Sequence, residues 1–479
     1  MAPGGTRWDI IAVSDAPTRP RAQPRPAGPA PARARRRAWL LFLFAFLVYN
    51  ANLRLISARD CVPARLLPWS LLGEGDLDLD EFGWSVDELP YFLLAVDGHV
   101  RSLYPVLIPI LVTPLYLPVA TRFEGGDDPS RAPLAQRMEK LSASLIGSAS
   151  VALVYLALLE VAAPRAALGL ALLHAFGTNA WTIGSQALWQ HGFGALCVAL
   201  LALGLLRAEH DPRWLLAAGL GAGLAAANRP PDAIFSALAL LYVVWRHRGA
   251  WLRFVAPAAA VGLLCLAYNL GVYRHPLGGY GLSLATHHFR PRLEGLLGLL
   301  VSPSRGLFVY TPVALFSVLG ALRLWRSGEL PVLRWLGLGV ALQVLFFGSF
   351  AMWWGGHCFG PRFLTDATPI LILLLVPLLP GLARPRVAAA FAVAAALSIA
   401  VQAVGAFFYP AGLWDERPVK VDLRPERVWE WRDSQLVRSL RYGPAPLSWS
   451  LLPQEIAGGE AGGSTSRDRP AAARGRWIR

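Results

Sequence analysis

Charged residues are scarce in this chain: they make up 16% of 479 residues, against 55% that are hydrophobic. A protein that folds in water needs more polar surface than that, so an ordinary soluble globular fold is excluded. Cysteine is scarcer still. Cys61, Cys197, Cys265 and Cys358 form no CxxC pair, and neither a zinc ribbon nor a dithiol redox centre is expected. A Cys61–Cys358 disulfide remains open. Acidic residues are also outnumbered, 31 against 45 Lys plus Arg, for a formal net charge of +14. Such an excess can signal nucleic acid, but here the arginines fall in short loops between apolar runs. That is the footprint of membrane topology, and no nucleic-acid partner is expected.

What the chain has in plenty is the long uncharged run, repeatedly about 17–25 residues and so able to cross about 30 Å of hydrocarbon as a helix. The apolar segments lie at 38–57, 102–120, 141–163, 166–183, 190–208, 214–228, 232–245, 251–271, 306–325, 333–353, 364–383 and 387–409. The fold class is therefore all-α, a polytopic membrane protein. Ahead of the first run, residues 1–37 are rich in Pro, Ala and Arg and read as a disordered basic cytoplasmic tail. The cluster RARRR (33–37) precedes a long apolar stretch with no small-residue cleavage site, the pattern of an uncleaved signal anchor.

The run at 102–120 carries Pro105, Pro109, Pro114 and Pro118, each of which removes a backbone donor. If it does not cross, Arg165, Arg207, Arg213, Arg246, Arg248, Arg253, Arg323, Arg326, Arg334, Arg384 and Arg386 all fall on the cytoplasmic side, as the positive-inside rule requires. If it does cross, all of them change sides. The loop 121–140 runs the other way, holding Arg122, Arg131, Arg137 and Lys140. The balance gives about eleven spans, a large first outer loop at 58–140 with a juxtamembrane segment, and a body ending near 410. An outer C-terminal tail, 411–479, follows, with its Gly-rich end disordered. The expected location is the inner membrane.

This topology gathers five polar stretches on one face: the acidic loop 58–101, SQALWQHG (185–192), NRPPD (228–232), the loop 271–305 and WWGGHCFGPRF (353–363). The acidic loop opens with RDCVPARLLPWSLLGEGDLDLDEF (59–82). Asp60 sits at the mouth of the first span, where partial desolvation raises basicity. Arg229 and Arg362 stand beside prolines at span ends, and a guanidinium fork suits phosphate. A base and phosphate-binding cations on one face fit transfer of a group from a lipid phosphate.

The order of these features resembles the integral-membrane glycosyltransferases of the C-type fold, relatives of protein O-mannosyltransferases and of the lipid A aminoarabinose transferase. The matching elements are RDCVPARLLP, LDLDEF, DGHVRSLYPVLIPIL, ALWQHG, ANRPPD, LVSPSRGLFVYTP and WWGGHCFGPRFL, over roughly residues 38–410. The resemblance implies a GT-C-like domain and places Asp60 at the catalytic base. Cys61 follows it where the family often has Glu or Thr, and Val106 stands where the family has a second proline.

Substrate-binding candidates are Asp78, Asp80, Tyr104, His191, Arg229, His357 and Arg362, with His287 and His288 behind them. Each has a plainer reading. Asp60 can cap a helix or pair with Arg59 or Arg65. Asp76, Asp78, Asp80 and Glu81 alternate with leucine as along an extended strand with one wet face. The arginines can snorkel, and Trp353 and Trp354 can belong to an aromatic belt. No cofactor is expected and no metal is assigned, although a divalent ion is compatible with the acidic loop. The function expected from resemblance and residues together is transfer of a sugar from a polyprenyl-phosphate donor to a lipid, glycan or protein acceptor at the outer face. The alternative is a transporter or flippase of lipid-linked saccharides, which requires ionisable groups buried mid-span.

Overall fold

The computed structural model describes residues 31–123, 132–283 and 289–447. Expectations about residues 1–30, Arg131, His287, His288 and the last part of the tail lie outside these. Helix α1 (Pro31–Asn50) is followed by α2 (Val62–Gly73), a hairpin of β1 (Leu93–Val96) and β2 (His99–Ser102), and α3 (Leu107–Tyr116). The bundle proper contains α4 (Pro133–Leu159), α5 (Pro164–Gly177), α6 (Gln190–Ala208), α7 (Leu215–Asn228), α8 (Ala233–Arg246) and α9 (Trp251–Tyr273). After the short α10 (Gly279–Ser283), α11 (Leu293–Val301) and α12 (Leu307–Tyr310) come α13 (Ala314–Ser327), α14 (Pro331–Gly348), α15 (Thr368–Leu373) and α16 (Pro385–Phe407). The tail adds α17 (Leu413–Glu416) and α18 (Gln435–Tyr442).

The all-α class is what the chain adopts. Among the described residues α4, α6, α9, α14 and α16 are each long and apolar enough to cross a membrane unaided. The first expected span falls on α1, a continuous helix of 20 residues, and most of the others are shorter or broken helices: α5, α7, α8 and α13 have 14 residues each. The expected span at 306–325 is split between α12 and α13 at Pro312, and that at 364–383 passes from α15 into a 3-10 turn rich in proline. The Pro-rich segment 102–120 yields the ten-residue α3, which runs on into a 3-10 helix at Leu117–Arg122. The whole stretch, Leu107–Arg122, is apolar but shorter than the spanning helices, and its α-helical part covers about 15 Å at 1.5 Å per residue.

Residues 31–37 differ from expectation. They form the first turns of α1 rather than disordered chain, because Ala and Arg are strong helix formers and Pro31 occupies the position where a missing N–H costs nothing. A second difference concerns the Leu-Asp alternation at 76–81, which is not extended. Asp76 Oδ1 accepts from Ser70 Oγ at 2.9 Å and from the Asp78 N–H, and Asp78 Oδ1 accepts from the Asp80 N–H. Local Asx turns of this kind compete with strand pairing. The strands lie instead on either side of Asp97-Gly98, both with positive φ, which is the Asp-Gly signature of a tight hairpin.

One apolar core joins α1, α4–α8, α13–α15 and the tail residues Trp414, Val421 and Val428. The tail from 410 to 447 is therefore built into the body and is not a separate appendage. A second core, around Leu66, Trp69, Phe92, Ile108, Tyr116 and Phe123, fixes the outer loop to the tops of α4 and α6. Close helix approach depends on small residues. A Cβ at Gly204 of α6 would lie 2.6 Å from the Ala218 nitrogen of α7, the small-residue packing that membrane bundles use in place of hydrophobic association.

Candidate active site

Asp60 lies in a short 3-10 turn, Arg59–Cys61, that leads into α2 with Pro63 in its first turn. The turn points the carboxylate across the mouth of the bundle. There Arg362 Nη1 donates to Asp60 Oδ2 at 2.6 Å and the Tyr91 hydroxyl donates to Oδ1 at 2.5 Å. The Tyr104 side chain also favours the charged form of this carboxylate. The Asp60 and Arg362 side chains are 20% and 11% exposed, so the pair is sheltered yet reachable. Burial alone would push the Asp60 carboxyl up. The Arg362 charge and the hydrogen bonds outweigh it and hold Asp60 below the ordinary carboxylate range. For Arg362 burial works downward, but Asp60 more than offsets it and the guanidinium is held on its proton more firmly than usual.

Arg362 lies 4.8 Å from the ring centre of Trp189 and 5.5 Å from that of Phe363. Phe363 faces Arg229 as well, at 5.7 Å, and stacks on Phe347, itself 4.7 Å from Arg229. Two guanidiniums contributed by sequence-distant loops thus share one aromatic partner. Arg229, at the break between α7 and α8, is ion-paired with Asp366, whose Oδ2 is also 3.2 Å from His191 Nδ1. Burial pulls Arg229 down to about 10, with Asp232 opposing, so it stays a cation at neutral pH. Gln343 Nε2 donates to Asp232 Oδ1 at 2.7 Å. Gly194 makes room for both carboxylates: a Cβ there would lie 2.9 Å from Asp232 Oδ2 and 3.0 Å from Asp366 Cγ.

A tyrosine from the short α10 closes the group. Tyr280 donates to Gln190 Oε1 at 2.6 Å, and its ring meets Tyr104 edge-on at 5.7 Å. Burial pushes its hydroxyl up to about 12, leaving it a neutral donor. Of the residues singled out by sequence, Asp60, Tyr104, His191, Arg229 and Arg362 are therefore brought together.

Asp78, Asp80 and His357 are not. His99 Nδ1 is 2.7 Å from Asp80 Oδ2 and 3.2 Å from Asp78 Oδ2, and Arg101 is 3.4 Å from Asp78. These two aspartates fasten the 76–80 turns to the hairpin. Their ligand atoms and His99 lie within 4.8 Å of one another, so this is where a divalent cation could sit, at the expense of the His99 contacts. His357 faces the tail, 3.5 Å from Asp422, which also accepts from Trp354 Nε1 at 2.8 Å. Trp353 and Trp354 are buried against that tail. Cys61 and Cys358 share one small apolar cluster with Ile183, Ala187 and Trp189, as free thiols.

Sequence reasoning missed Asp366, Asp232, Tyr91, Tyr280 and Arg305. Asp366 left a usable signal, since it falls inside the expected span 364–383, where an ionisable residue marks a functional or paired site, and Asp232 closes the NRPPD stretch at a span end. Tyr91 and Tyr280 left none.

Residues 140–272 match the family model described as dolichyl-phosphate-mannose-protein mannosyltransferase. No curated protein matches the chain. Among solved structures it is similar to ArnT from Cupriavidus metallidurans bound to undecaprenyl phosphate, at 13% identity and a TM-score of 0.48, over 76% of this chain and 63% of that one. It is also similar to the Archaeoglobus fulgidus oligosaccharyltransferase in the apo form, at 12% identity and a TM-score of 0.43, over 86% and 60%. The chain spans less than two thirds of the length of each. The family match runs from within α4 to the end of α9 and bears out the likeness to C-type membrane glycosyltransferases. It contains His191 and Arg229 but neither Asp60 nor Arg362.

Proposed function

We propose that this protein transfers a sugar from a polyprenyl-phosphate carrier to a hydroxyl-bearing lipid, glycan or protein at the outer face of the membrane. The observation that carries the reading is the meeting of Asp60 with Arg362, 302 positions apart in sequence, with Arg229 behind the same aromatic ring. A base and two phosphate-binding cations at one sheltered mouth are what glycosyl transfer from a lipid phosphate requires.

In this reading Asp60 takes the proton of the acceptor hydroxyl. The acceptor oxygen forms its bond to the anomeric carbon from the face opposite the departing group, and the bond from that carbon to the phosphate oxygen breaks. The electron pair leaves with the phosphate, whose charge falls on Arg362 and Arg229, and the configuration at the anomeric carbon inverts. Tyr104 and His191 orient the donor. While Arg362 is engaged only with Asp60, the carboxylate is a weak base. A phosphate that shares the Arg362 charge raises the basicity of Asp60 when donor is in place. Asp78, Asp80 and His357 lie outside this step.

The test is transfer from a polyprenyl-phosphate sugar in reconstituted vesicles. Asp60→Asn keeps the hydrogen-bonding shape but cannot accept the proton, so transfer should fall by about 10²–10⁴-fold with insertion intact. Transfer near the wild-type rate would remove Asp60 from the mechanism. The buried Arg229–Asp366 pair, which begins inside an expected span, is the observation that favours a transporter. On that second reading, Asp60→Asn vesicles still translocate the lipid-linked sugar and no acceptor is modified.

A further inference from the structure

Arg305 is fully buried, and nothing in the transfer step uses it. Its guanidinium is nevertheless among the most fully engaged groups in the molecule. Nε donates to the Trp354 carbonyl at 2.7 Å, Nη2 to the Gly356 carbonyl at 2.9 Å and to Asp415 Oδ1 at 2.8 Å, and Nη1 to the Ser304 carbonyl at 2.7 Å and Gln435 Oε1 at 3.1 Å. Trp414 covers it at 5.2 Å. Gln435, in the tail, continues the grip: its Nε2 donates to the Cys358 carbonyl at 2.7 Å and its Oε1 accepts from the Gly360 N–H at 3.0 Å.

Four backbone groups between Trp354 and Gly360 are thus held by two side chains. That segment cannot hold itself in shape. Gly355, Gly356 and Gly360 all have positive φ, a backbone with little stiffness of its own and no helix or strand to supply hydrogen bonds. Two residues beyond Gly360 comes Arg362, whose guanidinium must reach Asp60. We infer that Arg305 and Gln435 are positioning residues for the reaction, a clamp by which the C-terminal segment 410–447 fixes the 353–361 loop and so places Arg362 against Asp60. The inference rests on the reading of Asp60 as base for its consequence in turnover, but not for the clamp itself.

The charges fit this role. Arg305 is neutralised by Asp415, which is in turn held by the Tyr409 hydroxyl at 2.5 Å. Arg305 therefore competes neither for Asp60 nor for a donor phosphate. Carbonyls are the groups a buried guanidinium satisfies well at several points at once, which a lysine ammonium cannot copy.

Gln435→Leu keeps the size of the side chain and removes both hydrogen bonds to the loop. Arg305→Lys keeps the charge and removes the fork. Two readouts separate a clamp from general damage. In protein whose other three cysteines are alanine, Cys358 is buried and should resist a maleimide. Either substitution should raise its labelling rate at least tenfold while the protein still elutes as one folded species. In the transfer assay the same variants should lose at least tenfold in kcat/KM, with the acid limb of the pH profile moved to higher pH. The sign follows from the site: without Arg362 at its place, burial of Asp60 goes uncompensated and more base is needed to ionise it. Unchanged labelling in both folded variants overturns the clamp. Raised labelling with an unmoved acid limb, where Asp60→Asn is inactive, overturns its role in positioning Arg362. If Asp60→Asn stays active, the base reading falls by itself, and the labelling alone still decides whether the clamp exists.

Discussion

At the scale of single residues, the site's behaviour follows from which charges are compensated. Asp60 receives Arg362, Tyr91 and Tyr104, and its ionised form is favoured despite burial. Removing one donor should therefore move the acid limb of the pH–rate profile toward higher pH, since a carboxylate with fewer donors holds its proton longer. Tyr91 is 61% exposed, so Tyr91→Phe should shift that limb by less than one pH unit and leave the rate on its alkaline side within about threefold of wild type; a shift toward lower pH would contradict the geometry. Glu81 shows the opposite sign. Burial pushes its carboxyl up to about 7, and Oε1 has no hydrogen-bond partner among the described residues. A carboxyl raised in the folded state costs stability above its unfolded value, and the cost grows as pH rises through the folded one. Glu81→Gln should then stabilise the protein at pH 8, by about 1 kcal/mol after allowing for solvent screening at a partly exposed site, and change nothing at pH 4. Thermal melting at the two pH values checks this.

At the scale of elements, helix existence and most boundaries were legible because hydropathy and Pro/Gly punctuation act locally. The expected run 190–208 coincides with α6, 214–228 differs from α7 by one residue at its start, and 232–245 differs from α8 by one residue at each end. What was not legible depends on contacts between elements. The Leu-Asp alternation at 76–81 satisfied a strand pattern, but side-chain oxygens captured the backbone first. His357 looked like a site histidine beside two tryptophans, and a tail aspartate took it instead. Glycines carry the same distinction between pattern and contact. Gly204 and Gly262 both sit within helices, yet a Cβ at Gly204 enters the α7 backbone while one at Gly262 meets nothing within 4 Å. Gly204→Leu should cost about 1–3 kcal/mol or more by forcing α6 and α7 apart, and Gly262→Leu, on a face of α9 turned away from the protein, should be neutral. Comparing the melting temperatures and folded yields of the two in the same lipid separates packing from any general effect of a larger side chain.

At the scale of the whole molecule, the convergence of the site was legible in outline, because loops that share a side of the membrane can meet and loops on opposite sides cannot. Charge asymmetry put the loops bearing Asp60, His191, Arg229 and Arg362 on one face, and they do gather at one mouth. Of the partners that complete the gathering, Asp366 escaped because a single carboxylate hardly alters the hydropathy of a run, and Asp232 because its neighbour Arg229 drew the reading of the NRPPD stretch. The sidedness we propose rests on the same asymmetry. The pairs Arg207–Glu160 and Arg246–Glu209 lie at helix ends opposite the site, with further arginines around them, and moving that many cations across the bilayer during insertion is disfavoured. Labelling single cysteines with an impermeant maleimide, in protein lacking its native thiols, tests the assignment. Asp87, exposed in the loop between α2 and β1, and Arg165, exposed in the first turn of α5, lie on opposite sides if α4 crosses once. Asp87→Cys should label in intact spheroplasts, and Arg165→Cys only after the membrane is opened. The reverse pattern would turn the whole bundle over and carry the Asp60–Arg362 mouth to the cytoplasm, whereas labelling of both from outside would mean that α4 does not cross.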